Sequence, residues 1–264
     1  MPAIQTLTSA ELAAALGTEL IHDVCGDTAH YFGAELLTYS KGALSNLYHI
    51  FDHASQRLQS LHKEMGSVPS RVLKNVLSDG YYCEDRLLTI YLGGILASSK
   101  TQVQRDDRAV YLLSLLRSMS LYQLRTHCIL YSSILFSATH PHADTMKAFQ
   151  KDGITVCLRE EEYHNAMAFS GLEQPGAIAE HAFSGLQQFG LSEGGETVVV
   201  PHPHKGVVNP FRFVYPTKLG MELFLWALGL GDRGLAAYTP ELIPLLPLAI
   251  ELCPHVELGR VSWS

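Results

Sequence analysis

PSRVLKNVLSDGYYCEDRLLTIYLGGILASSKTQVQRDDRAVYLLSLLRSMSLYQLRTHCILYSSILFS, residues Pro69 to Ser137, spells successive amphipathic helices with their start and stop signals in place and holds no catalytic motif. Pro69 suits a first helical position, where its missing N–H costs nothing. Val72, Leu73, Val76 and Leu77 then share one stripe, and Gly80 is placed to close the helix in the left-handed conformation. The next segment sets Leu87, Leu88, Tyr91, Ile95 and Leu96 at helical spacing. It does so despite Gly93-Gly94, a pair that costs about 1 kcal/mol per glycine relative to alanine and so points to the close approach of another backbone. Asp106-Asp107 suits the positive end of a helix that buries Val110, Leu113 and Leu116, with Leu112 and Leu115 as neighbours. Ser120 followed by Gln123 has capping-box spacing and opens a helix with Leu121, Leu124, Cys128, Tyr131 and Leu135. Four helices on short links make a bundle or an orthogonal array.

Upstream, Leu44, Leu47, Phe51, Ala54, Leu58, Leu61 and Met65 recur in steps of three and four. They predict one long helix over Gly42 to Met65, whose seam serves as core or as a self-association contact in a homodimer. Ser9 to Leu16 reads as a short amphipathic helix capped by Ser9. After His140-Pro141-His142 the character changes. A strand over Ile154 to Leu158 precedes helices over Glu160 to Phe169 and Ala177 to Phe189, the latter ended by Gly190. Strands over Thr197 to Val200 and Phe211 to Tyr215 flank a long hairpin tip, and a helix capped by Thr217 follows. That order resembles a winged helix. The expected fold is therefore mostly α: a helical domain over 1–139, a winged-helix-like α+β module over 140–234, and a C-terminal tail, 235–264, packed on the body.

With 264 residues and 47% hydrophobic content, the chain can bury one large core or two modest ones. No apolar run approaches the ~20 residues needed to span a bilayer, and the N-terminus lacks the basic-then-apolar order of a secretory signal. Five cysteines, odd in number and scattered, predict reduced thiols and a cytoplasmic location. The formal charge of −7 works against nucleic-acid binding, as does the absence of Lys and Arg from Ala177 to Phe189. Lys205, Arg212 and Lys218 are the candidates for backbone-phosphate contact.

Most patterns that resemble chemistry lack their context. His49 and His53 are four apart, but no glutamate follows the first as a zinc protease requires. Glu19-x-x-His22 and Glu161-x-x-His164 have di-iron spacing without the two further glutamates. Gly229-Leu-Gly231-Asp-Arg-Gly234 matches a dinucleotide fingerprint but follows a helix rather than a strand. The two His-Pro-His elements, His140/His142 and His202/His204, are the remaining metal candidates. No catalytic site and no cofactor are assigned.

The order of several short pieces resembles the bacterial abortive-infection alpha-like (Abi-alpha) family. They are Val68-Pro69-Ser-Arg-Val72-Leu73, Cys83-Glu84-Asp85 through Tyr91-Leu-Gly-Gly-Ile95-Leu96-Ala97-Ser98, Asp106-Asp107, and Leu115-Leu116-Arg-Ser-Met119-Ser120. Leu186-Gln-Gln-Phe-Gly190-Leu191 and Tyr215-Pro-Thr217-Lys-Leu-Gly220 through Phe224 continue the series, which spans about Ala34 to Leu230. Where the family often has tryptophan before its Leu-Leu-Ala helix end, this chain has Tyr91-Leu92-Gly93. The resemblance implies a non-enzymatic binding protein of antiphage defence that recognises a phage or host component, with a protein partner. The alternatives are a winged-helix transcription-associated regulator and a metal-dependent enzyme built on the His-Pro-His loops.

Overall fold

The computed structural model describes residues 23–24, 41–61, 66–103, 105–137, 154–201, 208–231, 233–234 and 261–263. Among them are eight helices and four strands, in a mostly helical order with a small antiparallel sheet in the C-terminal part. The chain divides into two compact units: Met1–Ser118 with Leu225–Asp232, and Met119–Phe224 with Arg233–Ser264.

The first unit is built on α1 (Lys41–Ser60), α2 (Ser70–Gly80), α3 (Arg86–Ser98) and α4 (Ala109–Ser118). The seam of α1 lies inside it: Leu44, Leu47, Phe51, Ala54 and Leu58 are buried, and α1 packs on α2 and α3. The self-association reading of that seam is thereby corrected, because an isolated apolar stripe is satisfied first by the chain's own neighbouring helices. Leu61 is half-buried, and residues 62–65 lie outside the described set.

α3 is apolar nearly all round, the pattern of a helix enclosed by its neighbours. From Thr89 to Ser98 every residue is buried. Gly93 and Gly94 are where those neighbours come closest. A Cβ on Gly93 would stand 2.8 Å from the Ile50 carbonyl oxygen and 2.8 Å from the His53 Cβ, and one on Gly94 would overlap the Ala227 carbonyl. Asp85 caps α3, accepting a hydrogen bond from the Leu88 amide at 3.0 Å.

Gly80 does not take the left-handed conformation expected of it. It ends α2 with Tyr81 in the right-handed region beyond, and it is needed because a Cβ would meet Ile50 Cδ1 at 2.6 Å and Leu47 Cδ2 at 2.8 Å. Asp106 and Asp107 likewise serve arginines rather than a helix dipole. Arg108 grips Asp106 through Nε at 2.8 Å and Nη2 at 2.9 Å, and Arg71 reaches Asp107 at 2.5 Å.

Residues 225–232 complete this unit. Trp226 is its largest buried side chain, with the Arg108 guanidinium carbon 5.6 Å from the ring centroid and Gly231 against the indole. Gly229, at φ +85°, is the helix-ending glycine. Leu230 N–H bonds to Leu225 C=O at 2.9 Å and Gly229 N–H to Trp226 C=O at 3.1 Å, which explains the Gly-x-Gly spelling as a helix stop. Ser98 Oγ fastens the turn, donating to Trp226 C=O at 2.9 Å and accepting from Gly231 N–H at 3.1 Å.

The second unit holds α5 (Leu121–Ser137), β1 (Ile154–Arg159), α6 (Glu160–Met167), α7 (Pro175–Gln188), β2 (Ser192–Pro201), β3 (Val208–Pro216), most of α8 (Lys218–Ala227) and β4 (Val261–Trp263). The sheet runs β2-β3-β1-β4 and is antiparallel throughout, with Val156 opposite Val214 and Ile154 opposite Trp263. The expected boundary near residue 139 moves to Ser118/Met119, because α5 spends its inward polar groups on this unit. Its capping box forms as read: Ser120 N–H donates to Gln123 Oε1 at 2.8 Å, and Gln123 N–H to Ser120 Oγ at 3.3 Å.

Two buried residues of α5 then act as bolts. Tyr131 OH donates to Leu191 C=O at 2.5 Å and accepts from Thr217 N–H at 3.0 Å. His127 Nε2 sits 3.0 Å from Gly220 C=O, so that nitrogen carries a proton, and burial keeps the ring neutral. Thr217 caps α8 by accepting from Gly220 N–H at 3.1 Å. Of the expected tail, β4 is described and extends the sheet, while 235–260 lie outside the described residues.

Candidate functional site

The second unit carries a braced turn between α6 and α7. α6 ends because Ala168 enters the left-handed region, φ 53° and ψ 47°, with its N–H shared by His164 and Asn165 carbonyls at 3.1 Å each. A non-glycine residue there stores about 1 kcal/mol of strain, tolerated only where the surroundings fix it. The reversal sets Phe169 edge-on to His164, with ring centroids 5.6 Å apart, and near Tyr163 at 6.4 Å.

A turn follows in which Glu173 N–H bonds to Ser170 C=O at 3.2 Å, and the Glu173 carboxylate accepts Ser170 N–H at 2.5 Å and Tyr122 OH at 2.5 Å. The phenol of Tyr122 and the Ser170 contacts hold the Glu173 carboxyl below its ordinary pKa, and the same bond raises that of Tyr122. At the tip of the turn Leu172 is 97% exposed. Beside it, His164, Asn165, Ala168, Phe169 and Pro175 line an open depression of ≈ 580 Å³.

The floor of this surface is held from α5. Tyr163 OH pairs with Thr126 Oγ1 at 2.8 Å, Thr126 also donates to Tyr122 C=O at 2.8 Å, and Arg125 Nε donates to Ala166 C=O at 3.1 Å. Burial pushes the Tyr163 phenol up to about 12, so it stays neutral. His164 Nε2 lies 3.6 Å from Glu160 Oε1, one turn back on α6. The acidic first turn, Glu160 to Glu162, lies at the opposite, N-terminal end of α6, with Glu162 bridged to Arg159 at 3.1 Å.

Arg212 is not a phosphate contact. It is 4% exposed, donates to Gly195 C=O at 2.9 Å and Glu180 Oε1 at 2.5 Å, and stacks 5.0 Å from the Phe183 ring centroid. The register shift of β2 at Gly194 to Glu196, with Gly194 and Gly195 at φ +70° and +119°, turns the Gly195 carbonyl to it. Lys218 is exposed at the start of α8. Lys205 and all four His-Pro-His histidines, His140, His142, His202 and His204, lie outside the described residues. Among the described residues no group of three or more His, Cys, Asp or Glu could hold a metal, and no helix is long and apolar enough to cross a membrane.

In the first unit, considered separately, α1 presents His49, His53 and Arg57 at successive steps of four, on one face beside the buried seam. His49 is exposed and His53 half-buried. Burial depresses the His53 pKa; Asp52 opposes this, while Arg57, His49 and Arg86 reinforce it. Arg57 is 8% exposed, its stem packed where Gly229 leaves no Cβ. Its Nη2 is out of contact with solvent and has no hydrogen-bond partner among the described residues. Burial pulls its pKa down to about 10, which leaves it a cation at neutral pH. The sequence reading paired His49 with His53 and missed Arg57, although the i, i+4, i+8 spacing is legible in the chain.

These features define a mostly helical protein with a small antiparallel sheet in its C-terminal part. Comparisons with protein-family models, curated proteins and solved structures give no match.

Proposed function

We propose that the chain is a cytoplasmic binding protein of antiphage defence, of the abortive-infection type, that recognises a phage or host protein through the turn bearing Leu172. The observation that carries this is a leucine held 97% exposed by a turn whose backbone and carboxylate are already committed. Preorganisation of this kind lowers the ordering cost of association, and covering the leucine would remove its apolar surface from water. The partner would offer an apolar pocket to Leu172. The defence setting rests on the Abi-alpha-like order of motifs.

Element order adds a second support. α5, β1, α6, α7 and the β2–β3 hairpin, with β1 on β3, follow in the order expected of a winged helix, a reading on which α7 would be the recognition helix. Pro175–Gln188 contains no Lys or Arg and exposes Glu180, so a protein suits it better than DNA. A transcription-associated regulator is the second reading, and a mobility shift on duplex DNA that weakens with salt would favour it. The third, a metal enzyme using the His-Pro-His loops, requires stoichiometric Zn or Fe in the purified protein.

The test is phage challenge of cells expressing the full chain or Leu172→Asp at matched levels, with circular dichroism confirming the fold. Wild type is expected to lower plating efficiency and Leu172→Asp to lose about tenfold or more of that protection. Failure of the wild type to protect against any phage of the host, or equal protection by the variant, overturns the proposal.

A further inference from the structure

Arg57 presents a physical problem that the contact surface of the other unit does not touch. A guanidinium removed from water loses hydration that only an opposing charge and hydrogen bonds can replace, so buried arginines are found with carboxylates or phosphates. Here the side chain is more than nine-tenths buried, with Nη2 unpaired and no ion pair among the described residues. Arg212 shows what the same chain does when an arginine is structural: it is buried to a similar degree and its Nε is also unpaired, but its charge is met by a carboxylate, a carbonyl and an aromatic face.

A second observation bears on the same place. His53 and His49 stand one and two turns before Arg57 on the same face of α1, leading from the buried guanidinium to an exposed imidazole. Three groups able to donate hydrogen bonds thus run along one stripe.

We propose that Arg57 anchors an oxyanion-binding site, with His53 and His49 as the outer donors, and that its ligand is a phosphate group. The fork of the guanidinium takes two oxygens side by side, the geometry a phosphoryl group offers, and an ammonium in its place would make only a point contact. A free phosphate ion and the phosphoryl group of a larger ligand share this chemistry. The site goes beyond the protein-contact reading and does not depend on it.

The probe is inorganic phosphate with the full chain, followed by calorimetric titration and thermal melting, with chloride at equal ionic strength as control and adenosine monophosphate as a second arm. Wild type is expected to bind one phosphate saturably, and at ten times the dissociation constant its folded-to-unfolded ratio should rise about tenfold. Arg57→Met should abolish the titration signal. Arg57→Lys, which keeps the charge, should weaken binding about tenfold or more, and His53→Gln by less. Tighter binding of the nucleotide than of phosphate assigns the site to a larger ligand; equal binding assigns it to the ion. If wild type shows no response beyond chloride, or if Arg57→Lys binds as well as wild type, the site does not exist.

Discussion

Gly94→Ala adds one methyl group to α3 at the point where the backbone of Ala227 passes. The new Cβ would overlap the Ala227 carbonyl oxygen and carbon and lie 2.8 Å from its Cα. All three atoms are backbone, so no rotamer change can move them, and α3 is buried on either side of the position. Alanine gains about 1 kcal/mol over glycine in helix propensity. Overpacking a filled core costs about 1–3 kcal/mol, and the immovable neighbour puts this case at the upper end. The net expectation is a loss of about 2 kcal/mol, roughly a 30-fold shift of the unfolding equilibrium. Urea unfolding followed by tryptophan fluorescence reads it, because Trp226 is in the affected turn. Gly42→Ala is the control: nothing lies within 4 Å of its Cβ position, and it should leave stability unchanged or raise it by up to about 1 kcal/mol. If Gly94→Ala matches wild type or gains as Gly42→Ala does, the close approach of Ala227 is wrong.

Burial holds the His127 pKa down to about 3, against about 6.5 in an unfolded chain. Its contribution is therefore fully present above pH 6.5 and lost as pH falls toward 3, with about 2 kcal/mol gone by pH 5. His127→Leu should flatten the stability profile between pH 7 and 5 while costing about 1–3 kcal/mol at pH 7.5, where Gly220 C=O loses its donor. An unchanged slope, measured by urea unfolding at each pH, would falsify the assignment of that slope to His127. Tyr131→Phe removes the hydroxyl that serves Leu191 C=O and Thr217 N–H, and should cost about 2–3 kcal/mol with faster hydrogen exchange at the Thr217 amide. A cost below about 0.5 kcal/mol would show that the bolt carries no strain in the second unit.

Local signals in the sequence were read well where one residue decides one geometry. Ser120 with Gln123, Thr217 with Gly220, and Gly190 as a helix stop each form as spelled, Gly190 with φ +67°. Gly93-Gly94 was legible as close approach, but which backbone approaches depends on Ala227, far along the chain. Gly80 was misread because a glycine near a helix end satisfies either a left-handed turn or a tight contact, and only the position of Ile50 separates them. Arg212 looked available because it is charged, yet period-two alternation places it on the face of Val214, which is fully buried. Of the turn between α6 and α7, nothing local showed that Tyr122 would pin Glu173, a pairing across 51 positions.

The return of the chain to the first unit has a consequence for its synthesis. Residues 225–232 belong with Met1–Ser118, so the ribosome delivers the Trp226 turn only after all of 119–224 has been made. At 5–20 residues per second the N-terminal helices wait roughly 5–20 s with an oily slot open beside Gly94 and Ser98. During that interval the nascent chain offers chaperones and proteases a target the finished protein lacks. A fragment ending at Ser118 would keep that vacancy for life.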